Sequence, residues 1–140
     1  MAHTDTMADT LHFELVSPER LLMEADTDSV MVPGAEGDFM VLPNHAPMLS
    51  TIRPGVIEVQ EAGKADATRL FIRAGFAEVG PGGLVVLAEE CIDVADLSKA
   101  DLEQRIKNTT EDLEDAKTDE ARRHAEEELV HLRQLLTVAS

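Results

Sequence analysis

The chain has 140 residues, of which 44% are apolar, enough for one or two small domains with a packed core. Only 3% are aromatic, with no Trp or Tyr, so the core must be built from aliphatic side chains. The formal net charge of -16 argues against binding to nucleic-acid phosphates or anionic lipid, because both would be repelled.

Cysteine content and the N-terminal segment indicate the compartment. Cys91 is the single cysteine, which excludes an internal disulfide and a multi-cysteine metal site and fits a reducing cytosol. The opening "MAHTDTMADT" lacks the basic and apolar regions of a signal peptide, and no apolar run could cross a bilayer. At a membrane, the protein would therefore have to be held by another chain.

Short β-rich runs separated by turn residues fill the chain from residue 11 to about residue 94. The runs are LHFELVSP, DSVMVPG, GDFMVLP, GVIEVQEAG, TRLFIRAG, AEVGPGG and LVVLAEE. Their spacing of roughly ten residues predicts an antiparallel sandwich or barrel rather than βαβ units. Alternation is clear at residues 55–60, where Ile57 and Val59 should point to one face and Val56, Glu58 and Gln60 to the other, so that one face can be buried.

From residue 97 onward, the apolar pattern is that of two helices. Apolar or small residues recur at steps of three and four at Leu102, Ile106, Thr109, Leu113, Ala116, and again at Ala125, Leu129, Leu132, Leu136, Ala139. Ser98 is the predicted N-cap of the first helix, and Thr118 or Asp119 that of the second, with a break at residues 116–119. The pattern predicts an antiparallel helical hairpin whose narrow apolar stripes suit pairing along a seam.

The stretch LPNHAPML, residues 42–49, raises the question of whether His45 acts in catalysis. The sequence offers it no partner: there is no G-x-S-x-G elbow, no second His four residues on and no H-E-x-x-H. Pro43 and Pro47 instead predict a stiff recognition loop in which His45 is a polar contact. Glu126, Glu127 and Glu128 are interpreted as a solvated face, and neither a catalytic residue nor a metal site is predicted.

The order of three motifs resembles that of the epsilon subunit of bacterial F-type ATP synthases. They are G-x-E-G-[DE] at residues 34–38, P-x-H-A-P-[LM]-L at residues 43–49 and [RK]-P-G at residues 53–55. The resemblance extends from residue 11 to the end of the sequence. It implies an α+β fold with an N-terminal antiparallel β-sandwich followed by a C-terminal two-helix antiparallel hairpin, in agreement with the periodicity.

The resemblance also implies a domain layout and a function. Residues 1–10 would be a flexible extension, residues 11–95 a sandwich binding the gamma subunit and the ring of c subunits, and residues 96–140 a regulatory hairpin that contacts the alpha and beta subunits. The protein would be a non-catalytic rotor subunit that couples proton-driven rotation to ATP synthesis. It would lie on the cytoplasmic face of the bacterial inner membrane, associated with the membrane only through the complex and without nucleic acid.

Two sets of site residues follow from the same resemblance. Loops carrying Glu36, Asp38, Asn44, His45 and Met48 would face the polar loops of the c ring. A second, regulatory set would bind ATP weakly through an [IL]-D-x-x-R-A motif at the first helix, together with bases of the second. Its members here are Asp96, Lys99, Ala100, Arg122 and Arg123.

The second set departs from the family motif. Ala95 replaces the branched residue and Lys99 replaces the arginine, so a bidentate phosphate fork is lost. No cofactor is predicted beyond ATP as this weak ligand. The alternative from another class is a β-sandwich binding module that dimerises through its hairpin. A more distant alternative is an enzyme that depends on His45.

Overall fold

A computed structural model describes residues 9–139 and divides the protein into two compact units. One ends at Asp93 and the other begins at Val94, two residues before the predicted boundary between residues 95 and 96. Most of the predicted N-terminal extension, residues 1–8, lies outside the described residues.

Nine strands form the first unit. They are β1 (Leu11–Val16), β2 (Leu21–Gly34), β3 (Gly37–Val41), β4 (Met48–Ile52), β5 (Gly55–Glu61), β6 (Thr68–Ile72), β7 (Gly75–Gly80), β8 (Gly83–Ala88) and β9 (Cys91–Asp93). The sequence patterns located most of these strands but not β4 or β9, because Pro47 suggested that the loop continues and β9 has only three residues.

The long strand β2 belongs to both layers of the β-sandwich. Its first half pairs antiparallel with β1, from Leu21 to Thr27. Its second half pairs with β3 and β5, and its last residue, Gly34, is opposite Ile52 of β4. One layer therefore runs β2-β1-β8-β7-β4, and the other runs β3-β2-β5-β6-β9.

One pairing differs from the antiparallel arrangement predicted for the sandwich. β1 and β8 run parallel, with Phe13 opposite Leu84 and Val16 opposite Leu87. Consecutive strands joined by tight turns must be antiparallel, but β1 and β8 are far apart in the sequence and no hairpin constrains their direction.

An aliphatic core lies between the two layers. Ile57 and Val59 are fully buried, which confirms the alternation predicted for β5. Phe13 and Leu15 of β1 are likewise inaccessible, and each such side chain contributes about 1.5–3 kcal/mol through burial. The other core members include Val30, Val32, Val41, Ile72, Leu84 and Val86.

Two helices follow a short 3₁₀ turn, Val94–Asp96, and form the predicted hairpin. They are α1 (Lys99–Asp115) and α2 (Asp119–Val138). The Ser98 N-cap is confirmed, since its Oγ accepts from the Asp101 amide at 3.2 Å. Of the two candidates for the second helix, Thr118 is the N-cap, and its Oγ1 accepts from the Ala121 amide at 3.0 Å. An ion pair of 3.3 Å between Arg105 and Glu128 joins the helices.

The buried face of α2 is wider than the predicted stripe. Ala125, Leu129 and Leu132 are buried as expected, but His131 and Leu135 are buried as well. Steps of three and four residues select a single row of side chains along a helix, so the residues beside that row were not predicted to be buried. A histidine between Val130 and Leu132 gives no sequence signal that it is buried.

Candidate binding surface of the β-sandwich

The two predicted acidic contacts lie on the turn between β2 and β3. Gly34 is opposite Gly37, so Glu36 is in the tight turn and Asp38 is the second residue of β3, and both are exposed. Arg53, which follows β4, donates a hydrogen bond from its guanidinium to Asp38, and its amide donates to the carbonyl of Pro33 at 3.0 Å. The [RK]-P-G turn is thereby tied to the acidic turn.

The proline loop between β3 and β4 is held by local hydrogen bonds. The His45 amide donates to the Leu42 carbonyl at 3.2 Å, and Asn44 takes the left-handed conformation with φ 67, which asparagine tolerates better than most residues. His45 Nδ1 lies 2.7 Å from the Ala46 carbonyl, which can only accept, so Nδ1 carries a proton and Nε2 is left for another contact.

Folding brings the predicted contact residues to two grooves that adjoin through Pro47 and Met48. Glu36, Asp38 and Met48 line one groove of about 540 Å³ together with Leu49 and Phe76. Asn44 and His45 line the other, of about 430 Å³, whose opposite wall is His12 and the turn between β7 and β8. We call these the acidic groove and the histidine groove.

The sequence reasoning missed two exposed apolar residues of the acidic groove. Leu49 is 69% exposed and Phe76 is 43% exposed. The sequence signal for Phe76 is the alternation at residues 76–79. Because Ala77 and Val79 of β7 are buried, Phe76 and Glu78 must point outward. Large apolar side chains that share an exposed groove mark an interaction surface.

The residues predicted to bind nucleotide lie at two levels of the hairpin. Asp96 ends the 3₁₀ turn, and Lys99 and Ala100 begin α1. Arg122 and Arg123 are instead near the start of α2, which lies beside the end of α1. The contact between Arg105 and Glu128 places Lys99 level with residue 134, about 12 residues or ~18 Å along the axis from Arg122. The base of α2 nearest to Lys99 in this register is Arg133.

Cys91 is half-buried in β9 and pairs with Ile72 of β6. Burial, and next the charge of Asp93, raise the pKa of the Cys91 thiol. A raised pKa lowers the thiolate fraction and with it the reactivity of the thiol, as expected for a structural cysteine.

Neither α1 nor α2 is apolar enough along its length to cross a membrane.

Comparisons with known proteins assign both units. Residues 10–94 match the family model described as the beta-sandwich domain of the ATP synthase delta/epsilon chain, and residues 98–139 match the C-terminal domain of the ATP synthase epsilon chain. The first match defines the class of protein, one built on the sandwich that delta and epsilon subunits share. With the second match, the protein belongs to the ATP synthase epsilon chain family, and the resemblance seen in its motifs is confirmed.

Bacterial relatives cover nearly the whole sequence. The protein is 50% identical to the ATP synthase epsilon chain of Parvibaculum lavamentivorans over 129 residues, which span 92% of this chain and 97% of that one. It is 55% identical to the epsilon chain of Maricaulis maris over 119 residues, which span 85% and 88% of the two proteins.

Solved structures share the fold at low sequence identity. A subunit in the Euglena gracilis mitochondrial ATP synthase, described as OSCP/F1/c-ring in rotational state 1, matches with a TM-score of 0.78 and 18% identity, covering 94% of this chain and 82% of that one. A subunit in the Tetrahymena thermophila mitochondrial ATP synthase, described as central stalk/c-ring, matches with a TM-score of 0.61 and 12% identity, covering 92% and 96%.

Proposed function

We propose that this protein is a non-catalytic rotor subunit of the ATP synthase central stalk, which couples c-ring rotation driven by proton flow to ATP synthesis. Its partners are the gamma subunit and the c ring, and ATP is made from ADP and phosphate on other subunits. Membership of the epsilon chain family supports this proposal, as do the neighbours of like fold in two structures whose descriptions include the c-ring, one of them together with the central stalk.

The observation that carries the proposal is the composition of the acidic groove. Exposed acids and exposed apolar side chains share one surface, as they do in protein interfaces with an apolar centre and a polar rim. Arg53 holds Asp38 in place, and the prolines of the adjoining loop limit the entropy lost on docking. On this proposal Glu36, Asp38, Asn44, His45 and Met48 contact the polar loops of the c ring.

The location follows from the partners. The protein would lie on the cytoplasmic face of the bacterial inner membrane as a peripheral protein held by the complex. Its net charge of -16 opposes direct adsorption to anionic lipid, so attachment would depend on protein contacts.

The test is coupling in reconstituted enzyme. A Glu36→Gln, Asp38→Asn double variant should reduce ATP-driven proton pumping relative to ATP hydrolysis, because charge attraction at the contact is lost. Leu49→Ser should weaken co-purification with the c ring and gamma. Asp66→Asn, at an exposed acid in the turn between β5 and β6, is the matched control and should behave as wild type.

Two outcomes count against the proposal. Equal pumping and co-purification in all variants would show that the acidic groove does not face a rotor partner. Self-association of the protein without capture of gamma or c subunits would favour the alternative of a dimerising binding module.

We further propose that the helical hairpin regulates hydrolysis by contacting the alpha and beta subunits. Residues 97–140 carry seven bases and eleven acids, so the hairpin segment is less acidic than the sandwich and can approach an acidic partner. Removal of residues 97–140 should raise ATP hydrolysis by the complex. Unchanged hydrolysis in a complex that still contains the truncated protein would discard this role.

ATP is proposed as a weak ligand of the hairpin, bound near Lys99. Lys99 at the start of α1 is level with Arg133 of α2, whereas Arg122 is already paired with Asp119 at 3.0 Å. Calorimetry at millimolar ATP should detect heat that Lys99→Gln reduces and Arg122→Gln leaves unchanged. An absence of heat above dilution would rule the ligand out, and loss in Arg122→Gln alone would place the site at the turn.

A further inference from the structure

The outer face of β1 and β2 gathers one imidazole and three carboxylates. His12 and Glu14 are two residues apart on β1 and therefore share a face. The antiparallel register sets Asp26 opposite His12 and Glu24 opposite Glu14. Four residues that are scattered in the sequence thus become neighbours on one patch of sheet.

Distances within the patch suit a common ligand. His12 Nε2 lies 3.1 Å from a Glu14 oxygen and 2.9 Å from a Glu24 oxygen. Ligand atoms of these three residues all lie within 4.8 Å of one another. Zn²⁺ ligated at about 2.0–2.2 Å in a tetrahedron sets its ligand atoms about 3.4 Å apart, so the two pairs between His12 and the glutamates need to open by only a few tenths of an ångström.

The orientation of the imidazole adds a feature that an acidic patch lacks. Nε2 faces the two glutamates, while Nδ1 lies 3.4 Å from Asp26. A carboxylate that accepts from Nδ1 is the usual outer partner of a metal-bound histidine, because it fixes the tautomer that leaves Nε2 as the ligand. In the neutral imidazole, one ring nitrogen has a lone pair that faces a carboxylate oxygen, and the two repel each other. A cation bound between them removes this repulsion.

The charges around the patch also favour a cation. Within residues 9–139, no lysine or arginine makes an ion pair with Glu14, Glu24 or Asp26. The neighbouring strand β8 contributes Gly83 and Val85 beside β1, and neither supplies a charge. The three side chains of the candidate ligand set are 36–49% exposed, so an ion can reach them from solvent.

We propose that His12, Glu14 and Glu24 bind a divalent transition-metal ion, with Zn²⁺ as the best-fitting ion and Asp26 as the outer partner of His12. Imidazole with carboxylates suits zinc and its neighbours, whereas Mg²⁺ and Ca²⁺ prefer oxygen ligands alone. The ion ties β1 to β2 at the wall of the histidine groove, which His12 also lines.

The experiment is a zinc titration of the full-length protein against a chromophoric chelator in metal-free buffer. We expect one zinc per molecule, at least about tenfold weaker binding in His12→Gln, and a loss of about tenfold in Asp26→Asn. Far-UV circular dichroism checks that each variant is folded. Because the substituted side chains lie on the outer face of the sheet, the core should be intact.

Matched controls separate this site from other groups. His124→Gln changes an exposed histidine of α2, Glu58→Gln changes an outward acid of β5, and His3→Gln changes a histidine outside the described residues. All three should bind zinc as wild type does, and excess Mg²⁺ should not displace it. The proposal is overturned if zinc binds without stoichiometry, if His12→Gln binds equally well, if His3→Gln alone loses the ion, or if Mg²⁺ competes as a diffuse acidic patch would allow.

Discussion

Gly83, at the start of β8, provides a sharp steric prediction. Its φ of +123 lies in a region that side chains rarely adopt, and a Cβ there would overlap the carbonyl oxygen of His12 on β1. Backbone strain of about 1–3 kcal/mol adds to the loss of one or two hydrogen bonds between β1 and β8, each worth about 1 kcal/mol. Gly83→Ala should therefore lower the free energy of unfolding by about 3 kcal/mol.

The neighbouring residue is the matched control. A Cβ on Gly82 meets nothing within 4 Å, so Gly82→Ala should be neutral or stabilising by up to about 1 kcal/mol. With a urea m-value of about 2 kcal/mol/M, the midpoint of Gly83→Ala should fall by about 1.5 M. Because the protein has no Trp or Tyr, circular dichroism is the suitable signal, and hydrogen exchange in β1 and β8 locates the change. Equal midpoints for the two variants would refute the steric argument.

Three further predictions concern single side chains. Thr118→Ala removes the acceptor for the Ala121 amide and should destabilise the hairpin by about 1 kcal/mol. Hydrogen exchange in α2 should become faster, and an unchanged exchange rate would mean that the cap is dispensable. Hydrogen bonding to Asp26 raises the pKa of His12, so protonated His12 should stabilise chelator-treated protein fully below pH 6.5, and this stabilisation should be lost as the pH rises through the folded pKa. NMR titration should show a lower pKa of His12 in Asp26→Asn, and an equal pKa would contradict this cause. Cys91 should react with disulfide reagents more slowly than a free thiol at the same pH until urea exposes it, and equal rates before unfolding would be inconsistent with its burial.

Local sequence patterns were sufficient to predict features that depend only on residues of the same strand or helix. The alternation at residues 55–60 located β5 and separated its two faces, and the N-cap candidates Ser98, Thr118 and Asp119 located both helix starts. Strand β4 was not predicted, because Pro47 suggested that the loop continues. Pro47 in fact lies just before the strand, where it does not interrupt the pairing of β4 with β7.

The arrangement of the surface depended on pairing between distant segments, which periodicity does not encode. The acidic groove exists because Gly34 of β2 meets Ile52 of β4, which brings Met48 and Leu49 beside the acidic turn. In the same way, His12 meets Asp26 only through the register of β1 with β2. A one-residue slip of that register would turn these side chains to the other face.

The way β2 joins both layers has a consequence for how other proteins can attach. In the described part of the protein, the only strands with a single partner are β3, with five residues, and β9, with three. Exposed strand edges recruit other proteins by adding a strand, and short edges suppress such uncontrolled polymerisation. Partners that contact side chains on the faces and turns of this sandwich would leave these backbone edges unused, so binding could be specific without a long strand edge that promotes aggregation.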